Sequence, residues 1–122
     1  MSIETTPAAP SLDGRRFRAV ADVVGGEIAP ATLFTYHETG GEIWGEYDGG
    51  AIRRGFLVGT RRGDVLDFRY SQLNDKGETS GGHCVSAVTV LPDGRLRLDE
   101  EWAWESRRGS GTSAVEEVGE PG

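Results

Sequence analysis

The sequence predicts an all-β fold, an antiparallel up-and-down barrel of about eight strands. Two observations carry that prediction: glycine-marked turns recur at regular intervals, and the segments between them alternate apolar with polar residues. Turn signals stand at Gly25-Gly26, Gly40-Gly41, Asp48-Gly49-Gly50, Arg62-Gly63-Asp64, Asn74-Asp75-Lys76-Gly77, Pro92-Asp93-Gly94 and Arg108-Gly109-Ser110-Gly111, seven turns between eight segments. Eight hairpin-linked strands can close on themselves and leave no sheet edge exposed. A barrel of that size is filled by its own side chains or holds one small ligand.

Residues 1–12 are rich in Thr, Pro and Ala, lack periodicity, and read as a disordered lead-in. The first strand falls near 15–24. Between 26 and 31 a helical turn can replace a plain loop, with Pro30 limiting its length. Strands follow near 32–38 and 42–48. Parity in the second is ambiguous, because Ile43 and Tyr47 share one face while Trp44 and Glu46 share the other. On 51–60, Phe56 and Val58 are expected to face inward, a parity that also turns Arg54 inward unless a glycine bulge intervenes. The 64–73 strand sets Leu66, Phe68 and Tyr70 against Asp67, Arg69 and Ser71. A strand near 78–90 leads to Leu91-Pro92-Asp93-Gly94-Arg95, where Pro fixes φ and Gly takes a positive one.

The strongest strand is 95–105. Side chains alternate with period two, so Leu96, Leu98, Glu100, Trp102 and Trp104 share the core face, and Arg97, Asp99 and Glu101 face water. A last strand near 111–118 closes the barrel, which spans 13–118, and 119–122 form a disordered tail.

At 122 residues the chain is one domain, and a domain of this size buries roughly 65–70% of its unfolded surface, enough for a core without staples. A formal charge of −7 repels phosphate backbones and anionic membranes, which argues against a nucleic-acid or membrane partner. The basic pairs Arg15-Arg16, Arg53-Arg54, Arg61-Arg62 and Arg107-Arg108 are scattered and read as solvated strand ends. Cys84 is alone, so no intramolecular disulfide forms. No apolar run reaches membrane-span length, and the start Met1-Ser2-Ile3-Glu4-Thr5-Thr6 lacks the regions of a signal peptide. A cytoplasmic location is expected.

Glu100 is the residue that asks for chemistry, because a carboxylate in an otherwise apolar inward row is expensive to bury unpaired. Two roles fit it: a ligand-orienting or proton-handling acid with a raised pKa, or a structural acid that pairs with an inward Arg54 or Arg69 or sits at the barrel mouth. The aromatics Tyr36, Trp44, Phe56, Phe68, Tyr70, Trp102 and Trp104 supply the walls of a candidate ligand site around it. His83 and Cys84 are adjacent, hence on opposite faces, and make no joint metal site; an inward His83 or His37 could still ligate a haem. Nucleophile-elbow, Walker and dinucleotide patterns are missing.

The runs Tyr36-His37-Glu38-Thr39-Gly40-Gly41-Glu42-Ile43-Trp44-Gly45-Glu46-Tyr47, Gly49-Gly50, Gly55-Phe56-Leu57-Val58-Gly59, Leu66-Asp67-Phe68-Arg69-Tyr70 and Leu91-Pro92-Asp93-Gly94-Arg95-Leu96-Arg97-Leu98, with Glu100, Trp102 and Trp104, form a pattern. It resembles a family of small bacterial proteins of no established activity with lipocalin- and avidin-like barrels, over about residues 12–118. Some members bear an N-acetylglutamate synthase label. This chain gives that label no support: it is small and almost all β. Its nearest acetyl-CoA loop, Arg108-Gly109-Ser110-Gly111-Thr112-Ser113, fails at the last position, with no helix following to receive a pyrophosphate. The lipocalin Gly-x-Trp signature is missing from 15–24, so kinship with lipocalins is architectural.

The expected function is binding of a small apolar or aromatic molecule inside the barrel, with no cofactor or metal; a homodimer is compatible with this. Two alternatives stand beside it: a barrel enzyme of isomerase or cyclase type using Glu100 as acid or base, and a solidly packed interaction module. A cavity of roughly a few hundred Å³ separates the first two from the third.

Overall fold

The computed structural model describes residues 9–119. Eight antiparallel strands, β1 (Arg16–Ala19), β2 (Leu33–Thr39), β3 (Glu42–Gly49), β4 (Ile52–Arg62), β5 (Val65–Asn74), β6 (Thr79–Val90), β7 (Leu96–Trp104) and β8 (Ser110–Glu117), form a closed barrel. Each strand pairs with its sequence neighbour, and β1 pairs with β8 to close the ring. All seven expected turns fall between strands, and each holds a positive-φ glycine, Gly63 and Gly94 among them.

One connection departs from expectation. β1 stops at Ala19, and no helical turn forms between 26 and 31. The chain crosses the barrel mouth instead, because Val23 and Ile28 find apolar contact on the core rather than in a strand ladder. This strap, residues 20–32, is closed by a backbone bond from Val23 N–H to the Ile28 carbonyl.

Inside the barrel, large rings lie over glycines of neighbouring strands. Tyr47 crosses Gly55 on β4, where any Cβ would run into its ring, and its hydroxyl donates to Gln72 Oε1 on β5 (2.7 Å). Tyr70 lies on Gly82 and Trp102 on Gly111 in the same way, while Gly59 lies against the backbone of Asp67 and Phe68. This arrangement overturns the expected parity of β4. The inward row there is Ile52, Gly55, Leu57, Gly59 and Arg61, while Phe56 and Val58 face out. Two of the inward residues carry no side chain because the Tyr47 ring and the Asp67–Phe68 backbone already fill that space. The inward row therefore has only Ile52 and Leu57 as apolar side chains, no more than Phe56 and Val58 give the outward row. A register shift between Ile52 and Arg54 keeps Arg54 outside as well.

The far end of the barrel is plugged. Ala9 and Leu12 are buried, so positions 9–12 of the expected disordered lead-in belong to the packed domain; positions 1–8, and 120–122 of the expected tail, lie outside the described residues. Arg61, expected at a solvated strand end, is buried and holds the plug. Its guanidinium donates to the carbonyls of Ala9 (2.8 Å), Pro10 (2.9 Å) and Gly63 (2.8 Å) and pairs with Glu38 (3.0 Å) and Asp64 (3.1 Å). A buried cation is tolerable only with such full pairing.

Candidate functional site

The strap is latched at two points. Glu27 accepts from Gln72 Nε2 (2.9 Å) and Asn74 Nδ2 (2.7 Å), two inward amides at the mouth end of β5. The Trp104 indole N–H donates to the Gly25 carbonyl (3.1 Å), and the Arg107 guanidinium covers the other side of that ring (4.1 Å). Gly25 takes a positive φ (81°) in the strap, and the backbone at Gly25 and Gly26 lies over Trp102, where a Cβ would stand at ordinary contact distance from the ring (3.5–3.6 Å).

Beneath the strap lies a cavity of about 50 Å³. Its walls are aromatic: Phe34 stacked with Tyr47 (4.7 Å), Trp102 edge-on to Trp104 (5.7 Å), Trp104 edge-on to Tyr70 (5.9 Å), and Phe68. Val23 and Ile28 of the strap and Leu57 complete the apolar lining; Glu100, Cys84 and Ser113 supply polar atoms.

Glu100 sits in the middle of β7, facing Ser86 across one ladder and Ser113 across the other. Ser113 Oγ donates to Glu100 Oε1 (2.8 Å) and Ser86 also bonds the carboxyl. Removal from water pushes this acid from 4.5 up to about 7, against the lowering effect of the two hydroxyls. No cation pairs with it among the described residues. Arg54 faces out, and Arg69 stands outside against Glu105 (3.1 Å), so the expected salt bridge to either is corrected.

Burial and the nearby Glu100 together hold the Tyr36 hydroxyl far above its usual pKa, and the Cys84 thiol is pushed up for the same two reasons. Both groups are therefore protonated at neutral pH. Two buried polar atoms have no partner among the described residues: the Tyr36 hydroxyl and the Trp102 indole nitrogen.

Of the aromatic residues singled out in the sequence, Phe68, Tyr70, Trp102 and Trp104 line the cavity together with Glu100. Tyr36 is fully buried beside them, edge-on to Phe68 (6.5 Å). Trp44 and Phe56 are not part of this assembly. Both stand on the outer face, because Ile43, Gly45 and Tyr47 take the inward positions of β3 and the glycine-rich row takes those of β4. Both histidines are also outside, His37 against Glu46 and His83 against Asp67, which removes the haem reading built on an inward His. No group of three or more His, Cys, Asp or Glu among the described residues is placed to hold a metal. Sequence reasoning missed Ser86, Ser113, Gln72 and Glu27. Their roles follow from cross-strand register and the strap's path, and only the inward parity of Ser86 with Cys84 left a trace in the sequence.

The sequence model of the Avidin-like protein family matches residues 10–118. The chain belongs to this family. Barrels of the avidin-like family typically bind small ligands. No curated protein and no solved structure matches the chain.

Proposed function

We propose that this avidin-like barrel binds a compact, uncharged molecule with an aromatic or apolar body and one hydrogen-bond acceptor, held beneath the strap. The observation that carries the reading is a pair of unpartnered buried donors, Nε1 of Trp102, which lines the aromatic cavity, and Oη of Tyr36, which packs edge-on against the lining ring of Phe68, together with an acid in the same lining that is half protonated near neutral pH. Leaving a buried donor unsatisfied costs about 1–3 kcal/mol, and an acceptor on the ligand removes that cost. At about 50 Å³ the cavity is smaller than the roughly 150 Å³ that takes a benzene ring. Entry therefore requires the strap to lift, which adds the space held by Val23 and Ile28.

The test uses four aromatic probes of one size: toluene, benzaldehyde, benzylamine and benzoate. Thermal shift and calorimetry should rank benzaldehyde first, and Tyr36→Phe with Trp102→Phe should abolish its advantage over toluene. Equal binding of toluene and benzaldehyde removes the acceptor. Binding of none of them overturns the ligand reading and leaves a packed barrel. Glu100 supports one further reading. An acid poised at about 7 suits general acid–base work, and NMR-detected deuterium exchange next to the carbonyl of a bound ketone, lost in Glu100→Gln, would establish it.

A further inference from the structure

The outer face of β3 and β4 carries large apolar side chains that the core does not use. Trp44, Phe56 and Val58 are 42%, 58% and 65% exposed. They are neighbours, since Trp44 lies opposite Val58 in the ladder and Phe56 is the next outward residue on β4. The His37 ring stacks on Trp44 (5.4 Å) and extends the surface onto β2. Single exposed apolar residues mean little, whereas a contiguous patch with two aromatic rings marks a contact surface.

The charges around the patch say what it contacts. Outward residues at the two ends of β3 are acidic, Glu42 and Asp48, and those at the two ends of β4 are basic, Arg53, Arg54 and Arg62. None of these five forms an ion pair among the described residues. Nearby charges are matched within the chain, Glu46 with His37 and Arg69 with Glu105.

We propose that this face pairs with the same face of a second copy of the chain, about a two-fold axis running along the strands between β3 and β4. That rotation lays β3 of one protomer over β4 of its partner. Trp44 then meets Val58 of the partner subunit, and Asp48 meets Arg54 of the partner subunit, each contact being made twice, as an isologous interface requires. Glu42 approaches Arg62 of the partner subunit at the other end. An acidic strand beside a basic one is complementary to itself after this rotation. The net charge of −7 opposes pairing elsewhere on the surface, so the local match selects the face. This inference stands apart from the ligand reading and survives its failure.

Sedimentation velocity on the full chain from about 1 to 100 μM, a range that brackets ordinary interface affinities, should show a monomer–dimer equilibrium. Val58→Arg and Trp44→Glu should each weaken it by about 30-fold or more, the effect of losing a central anchor. Both changes point into solvent, so the far-UV spectrum and melting temperature should hold; should Trp44→Glu fold poorly, Val58→Arg carries the test. Arg54→Glu should also weaken pairing, and adding Asp48→Arg should restore it. A monomer at every concentration overturns the proposal, as does a dimer indifferent to Val58→Arg. A charge exchange that restores nothing overturns the axis.

Discussion

Glu100→Gln isolates the cost of an acid held away from cations. The amide has the same shape, can still accept from Ser113, and never carries charge. Glu100 titrates from 4.5 in its ordinary state up to about 7 in the fold, with removal from water as the leading cause. At 1.36 kcal/mol per pH unit, that displacement makes about 3 kcal/mol. The sign follows from which state holds the proton more tightly. Below about pH 4.5 the acid is protonated in both folded and unfolded chains, and the fold loses nothing. Between about 4.5 and 7 the unfolded chain ionises while the folded one holds its proton, so stability falls. Above about 7 both are ionised and the loss is complete. Urea denaturation of both proteins from pH 4.5 to 8 should therefore show Glu100→Gln gaining on wild type by about 3 kcal/mol across that range. At the upper end this amounts to roughly 12–15 °C in melting temperature for a domain near 100 residues. Other titrating groups are common to both proteins and cancel in the difference. A difference that stays constant with pH would refute the reasoning and place Glu100 in contact with water or with an unseen cation.

The remaining predictions concern packing and the strap. Gly55→Ala should cost about 1–3 kcal/mol by urea denaturation, because its Cβ drives Tyr47 off Gln72 and the core has no slack on that side. Arg61→Leu should cost about 3–5 kcal/mol, since it leaves Glu38 and Asp64 without their cation, and hydrogen exchange should show the Leu12 amide losing protection. Cys84, buried under the strap with its thiol protonated, should react slowly with a disulfide reagent at about pH 8; Glu27→Ala, which unlatches Gln72 and Asn74, should speed labelling by about tenfold or more.

What was legible in the sequence divides along a physical line. Turn chemistry is local, and so is strict alternation on a strand with heavy side chains. The seven turns and the inward set of β7, with Glu100, Trp102 and Trp104, could therefore be read directly, and Trp102 and Trp104 are buried as expected. Register is not local. Which serines flank Glu100 depends on how β6 and β8 slide against β7, so Ser113 carried no signal of its own and Ser86 only its shared parity with Cys84. The strap was equally hidden, because Glu27 gains meaning only from the amides of Gln72 and Asn74 far along the chain.

β4 shows the deeper reason that hydrophobicity misleads about parity. A strand's inward row is chosen by the volume left between its neighbours, and next to Tyr47 and Phe68 that volume is nearly zero. Glycine is the residue that fits, and glycine adds nothing to an apolar count. The inward row then counts only Ile52 and Leu57, which Phe56 and Val58 match on the outward row, so the count does not reveal the geometry. Phe56 and Val58 gain nothing from the core, so the barrel's own folding does not account for an aromatic and a valine in open water. Their cost is offset only when something covers them. Trp44 directly opposite, and unpaired charges of opposite sign on the two strands, make the same face of a second chain the surface that fits.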